Sequence, residues 1–200
     1  MTKPVALRQP AALTAPQPGD FCCVPISGRV GWAIELGQFL AGDTFQPYDH
    51  AEVFVGQADT AGPHGYTVSA YPDRRGRRPL PCDPAVLPGS LWSSGILPLT
   101  DAQRQGILAW CMSHTEVTYS FLDYLALELH TLHIPAPGLR GRIETSAHLI
   151  CSQYVDTAWG RGGGVQLFDD GRWPGYVKPG DLAMLLQAKM PPAQLSRLVA

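Results

Sequence analysis

The sequence predicts an α+β fold, with an antiparallel sheet from the first half of the chain packed against helices from the second. Three observations carry that expectation. Residues 48–56, YDHAEVFVG, alternate so that His50, Glu52 and Phe54 share one face and Ala51, Val53 and Val55 the other, which is the period of a strand. Residues 65–72, GYTVSAYP, supply a second strand across a turn-rich link that permits antiparallel pairing. Helical spacing follows at 100–114 and 120–132, so strands cluster early and helices late.

Taken in order, residues 1–17 read as an extended, proline-bearing arm and 18–200 as a single domain, long enough for a core that needs neither disulfide nor metal. GDFCCVPI (19–26) is a turn and a short apolar strand, and GWAIELGQFLAG (31–42) is compatible with a helix ending at Gly42. LWSSGILPL (91–99) offers a further strand. Thr100 is placed to cap the helix TDAQRQGILAWCMSH, with Ile107, Leu108, Trp110 and Cys111 on its apolar side. SFLDYLALELHTL (120–132) is amphipathic, and Pro135, Pro137 and Gly138 break the chain after it. HLICSQYVDTAWGRGG (148–163) begins another helix near Ser146 or Ile150, and the glycines at 160–164 read as its C-cap and the loop beyond. Those glycines lack the lysine and threonine of a phosphate-binding loop.

Composition excludes several function classes. A net charge of −2 gives no global reason to expect nucleic acid or an anionic membrane as partner. DRRGRR (73–78) is the local exception, read as a solvated loop before an anion-binding patch. No stretch approaches the ~20 apolar residues of a membrane span. The N-terminal segment lacks the apolar run of a signal peptide, which makes the cytoplasm the default compartment, with a phage origin or another export route as the alternative. The five cysteines form no C-x-x-C pair and no zinc-ligand spacing, a pattern that suits reduced, mostly buried thiols.

Cys151 stands at the head of its helix. A thiol becomes nucleophilic when its pKa falls, through a helix N-terminus or a neighbouring imidazole. Taken alone, such a cysteine is more often core packing. His50, at the start of the alternating strand, is the histidine best placed to join it. His64, His114, His130 and His133 show no partner pattern, and His148 is a helical neighbour rather than an oriented base.

PGD before an apolar strand, then DHAEVFVG, VSAYP and, much later, CSQYVDTAW and VKPGDLAML (177–185) resemble the permuted NlpC/P60 branch of the papain-like cysteine hydrolases. In that branch the histidine strand precedes the cysteine helix. The resemblance covers roughly residues 18–186. It implies Cys151 as nucleophile and His50 as general base. Where relatives often carry glutamate on the following strand, this chain has Ser69, which can orient an imidazole but offers no charge. Glu52, on the face of His50, is the other candidate orienter, although poorly aimed from the same strand. Tyr48 is a candidate oxyanion or substrate contact beside the Cys151 backbone N–H. Tyr154 and Trp159 are core or cleft wall.

The resemblance implies an amidase or cysteine peptidase acting on a peptide or acyl-amide substrate, of the kind found in cell-wall peptides, with no metal and no cofactor. Two alternatives stand beside it: an acyl-directed thiol hydrolase or transferase, and a catalytically inactive papain-like binding module, which the missing carboxylate favours. The oligomeric state is left open.

Overall fold

A computed structural model describes residues 14–25, 48, 50–57, 65–68, 80–82, 89–114, 150–172 and 176–193, with 57, 65–68 and 80–82 as backbone. The sequence expectations at 31–42, 69–78, 120–132 and 148–149 lie outside these residues, and so does Ser69.

The described residues form an α+β arrangement. Five strands, β1 (Phe21–Val24), β2 (His50–Gln57), β3 (Gly65–Val68), β4 (Leu80–Cys82) and β5 (Leu91–Trp92), make one sheet in the order β4-β3-β2-β1-β5. Every pairing is antiparallel. The register sets Val24 opposite His50, Cys22 opposite Glu52 and Phe21 opposite Val53. It shifts between Phe54 and Gly56, where Gly56 takes a φ of +101° against the Pro18 ring. β4 was not expected from the sequence, because Pro81 lacks the N–H that a ladder needs. It is tolerated there because β4 is an edge strand.

Alternation along β1 and β2 sorts their side chains. Phe21, Cys23, Ala51, Val53 and Leu91 join the main core with the helices, while Cys22, Phe54 and Trp92 form a second cluster. Phe54 meets Trp92 edge to face at 6.1 Å. Both faces of β1 are therefore buried, which is why FCCV reads as a continuous apolar run and not as an alternation. The adjacent Cys22 and Cys23 part to opposite faces, as strand geometry requires.

The expected strand at 91–99 pairs only at Leu91–Trp92. The chain then turns, with the N–H groups of Ile96 and Leu97 both donating to the Ser93 carbonyl. The ladder stops at Ser93, whose hydroxyl takes the Phe21 N–H that its carbonyl would accept in a longer strand. Ser93 Oγ accepts from the Phe21 N–H at 3.0 Å, and Ser94 Oγ donates to Asp20 Oδ2 at 2.8 Å. Pro98 could not have continued a ladder in any case.

Helix α1 (Asp101–Ser113) starts as the sequence indicates. Gln103 N–H donates to Thr100 Oγ1 at 3.3 Å, and Gln103 Oε1 accepts from the Thr100 N–H at 2.9 Å, a reciprocal cap. Ile107 and Cys111 are its buried residues, while Leu108 and Trp110 are half-buried. Arg104 ties α1 to the sheet: its Nη1 lies 2.8 Å from Asp20 Oδ1 and also donates to the Pro18 carbonyl at 2.9 Å. Asp20, fully buried, accepts in addition from the Gln17 N–H. The PGD turn is thus a polar hub under the sheet.

Helix α2 (Cys151–Thr157) continues directly into a π-helical turn, Ala158–Gly162. The glycines end the helix as the sequence predicts, with Gly163 as the C-cap, and also allow a close crossing. Gly162 is still helical and lies against Gly106 of α1. A Cβ on Gly106 would fall 2.1 Å from the Gly162 carbonyl oxygen, so the two backbones touch. Gly164, at φ +64°, is the residue that leaves the helix. Cys151, Val155 and Ala158 share the buried side, as the spacing predicts. Trp159 packs edge-on to Phe21 at 5.2 Å, joining the turn to β1. Burial of each such aromatic contributes roughly 1.5–3 kcal/mol.

Helix α3 (Pro179–Lys189) begins with proline at N1 and buries Leu182, Ala183 and Leu186. Asp181 Oδ2 accepts from the Lys178 N–H at 2.9 Å and from Arg172 Nη1 at 3.0 Å. Among the described residues no helix is long and apolar enough to cross a membrane.

Candidate active site

The start of β2 and the start of α2 meet at one point, about a hundred residues apart in sequence. His50 is the first residue of β2 and Cys151 the first of α2. The Cys151 side chain adjoins the His50 imidazole. Both are nearly buried, Cys151 at 3% exposure and His50 at 8%.

The first turn of α2 has an unusual cap. Ile150 at the N-cap carries no oxygen to accept from the turn. Gln153 reaches back instead, its Oε1 accepting from the Ile150 N–H at 3.0 Å, and the Tyr154 N–H closes the first helical bond to the Ile150 carbonyl. The N-cap side chain therefore leaves the N–H groups at Cys151 and Ser152 uncovered on the positive end of the helix. Ser152 Oγ donates to the Val177 carbonyl at 2.7 Å, a bond buried at both ends.

Glu52 is the carboxylate at the ring. Its Oε1 lies 3.2 Å from His50 Nε2, the two residues being i and i+2 on one strand face. The approach has the distance of an ion pair, but the ring N–H is not aimed along it. That is the poor alignment expected of neighbours on a single strand.

Charge decides the state of the imidazole. Burial alone would lower its pKa. The Cys151 sulfur beside it and the Glu52 carboxylate outweigh burial and push it up to about 10. His50 is held as an imidazolium through neutral pH.

One further thiol adjoins the pair, and a phenol lies beside that thiol. Burial, together with the negative form of Cys151 nearby, pushes the Cys23 thiol far up. Burial and the neighbouring Cys23 do the same to the Tyr48 phenol, which stays protonated and able to donate. The structure thus links Tyr48 to the site through Cys23. Cys23 was missed as a neighbour of the site. Strand parity could not have found it, because Cys23 pairs with Ala51 and so takes the face opposite His50.

Tyr154 and Trp159 are core, as expected. The Tyr154 hydroxyl donates to the Cys111 carbonyl at 3.2 Å. His114 stacks on Trp110 at 4.2 Å, a structural role on α1. Cys22, Cys23, Cys111 and Cys151 are buried, and among the described residues none of them forms a disulfide. Among the described residues no group of three or more His, Cys, Asp and Glu side chains is placed to hold a metal ion. No family model, curated protein or solved structure matches the chain.

Proposed function

We propose that the protein is a cysteine hydrolase of the permuted papain-like type that cleaves an amide bond. The observation that carries the reading is the Cys151–His50 contact, made between a helix start and a strand start with a carboxylate at the ring. The order along the chain, histidine strand before cysteine helix, fits the permuted NlpC/P60 arrangement.

The chemistry follows from the parts. Cys151 and His50 form a thiolate–imidazolium pair, and the thiolate attacks the amide carbonyl carbon. Negative charge on the carbonyl oxygen is met by the backbone N–H at the head of α2, with the Tyr48 hydroxyl as second donor. The C–N bond breaks as the His50 proton passes to the leaving amine. Water then attacks the thioester, giving one proton to His50 and releasing the carboxylic acid and the Cys151 thiolate. Glu52 stabilises the imidazolium and limits its rotation.

Cell-wall peptides with γ-linked acidic residues are the substrate class that the resemblance suggests. Incubating the full chain with a muropeptide mixture and reading the products by mass spectrometry tests this. Cleavage that Cys151→Ala and His50→Ala both abolish supports it; no cleavage of peptide amides, alongside release of acyl groups from thioesters, favours the acyl-directed enzyme.

The near-complete burial of Cys151 supports a second reading, a papain-like binding module. Thiol labelling separates the two. A Cys151 that reacts no faster than the core thiol of Cys111 belongs to a module, not an enzyme.

A further inference from the structure

We propose that Ser152 is a positioning residue for Cys151: its hydroxyl, bonded to the Val177 carbonyl at 2.7 Å, holds the first turn of α2 against the chain entering α3 so that the thiol meets His50. The inference rests on the cysteine-hydrolase reading and deepens it.

A serine at the second position of a helix ordinarily bonds its own turn. Ser152 instead reaches a carbonyl 25 residues away, and both partners are fully buried. The N-cap cannot do this work, because Ile150 has no polar side chain. Gln153 fixes the turn from within, through the Ile150 N–H. Ser152 thus references the reactive turn to a separate element.

That element is itself braced. Val177 precedes Lys178, whose N–H donates to Asp181 Oδ2, and the same oxygen accepts from Arg172 Nη1. The Val177 carbonyl is therefore a fixed point. Freed from it, the turn can rotate, and the thiol one residue away moves off the imidazole. Reactive pairs misplaced by about 1 Å lose on the order of 10²-fold in rate.

The test uses the full chain as wild type, Ser152→Ala, Ser152→Thr and Asp181→Asn. Alkylation of Cys151 by iodoacetamide is followed by peptide mass spectrometry, and the His50 titration by NMR. Ser152→Ala should slow alkylation by about tenfold. It should also move the His50 titration down from about 10, because the sulfur that raises it has shifted. Ser152→Thr, which keeps the hydroxyl, should restore both. Asp181→Asn loosens the brace from the α3 side, must slow alkylation in the same direction, and serves if the alanine variant does not fold. Wild-type rates and titration in Ser152→Ala, even with a lower melting temperature, make the residue structural and overturn the proposal, as does a wild-type rate in Asp181→Asn. A wild-type Cys151 no more reactive than Cys111 overturns the hydrolase reading itself, and this role with it.

Discussion

Glu52 Oε1 stands 3.2 Å from Nε2 of His50, two residues earlier on the same strand. A carboxylate so placed competes with the burial of the ring. Together with the Cys151 sulfur it keeps the imidazole charged where burial alone would neutralise it.

The first prediction is a pH dependence. His50 has a folded pKa of about 10 against an ordinary value of 6.5. A raised pKa means that the stability His50 contributes is fully present below about pH 6.5. It is lost as pH rises through about 10. The high-pH limb of kcat/KM for the free enzyme should fall near 10 as well. Cys151→Ala removes the larger of the raising influences, so its His50 resonance should titrate lower. An unchanged midpoint in that variant would show that the thiol does not set the charge of the ring.

Glu52 and Ser69 are rivals for orienting the imidazole. With Glu52 at Nε2, Glu52→Gln is expected to lower kcat/KM by about 10²-fold and to move the His50 titration down. Ser69→Ala should change either by less than about threefold. Steady-state kinetics on both variants decides the matter, and the reverse ranking would return the role to Ser69.

Asp20 and Arg104 carry the sheet–helix connection. Asp20→Ala leaves Arg104 half-paired and takes the acceptor from the Ser94 hydroxyl and the Gln17 N–H. Breaking a buried pair from one side costs about 3 kcal/mol. For a chain of this size that is a fall in Tm of about 6–12 °C, read by calorimetry. A change under about 2 °C would mean that the hub contributes little.

The glycines at 160–163 are predicted to differ sharply. Gly160→Ala meets open space and should be neutral or raise stability by about 0.5 kcal/mol. Gly162→Ala drives a methyl to 2.8 Å from the Gly106 carbonyl oxygen and 2.9 Å from the Ile107 Cα. It should cost about 1–3 kcal/mol. Denaturant melts of the two variants should separate, and equal midpoints would contradict the close crossing.

Much of the fold was legible because its signals are local. The alternation in DHAEVFVG depends only on which residues can face a core, and it gave β2 and its two faces. Thr100 and Gln103 gave the start of α1, since a cap is chemistry within four residues. The strand at 91–99 was overcalled because nothing local says that Ser93 and Ser94 bond the distant Phe21 and Asp20. Likewise, GRGGG was legible as a terminator, but not as the place where Gly162 lies against Gly106.

The candidate site divides in the same way. By itself the sequence determined that Cys151 heads a helix, that His50 opens a strand and that Glu52 shares the face of His50, because all three follow from backbone periodicity. Tertiary structure decided the rest: that the thiol meets the imidazole, that Cys23 lies beside them and that Ser152 is tied to Val177. Such contacts join segments far apart in the chain. Their charges couple only once the sheet and α2 have excluded water and brought them within a few ångströms, and no local pattern records that distance.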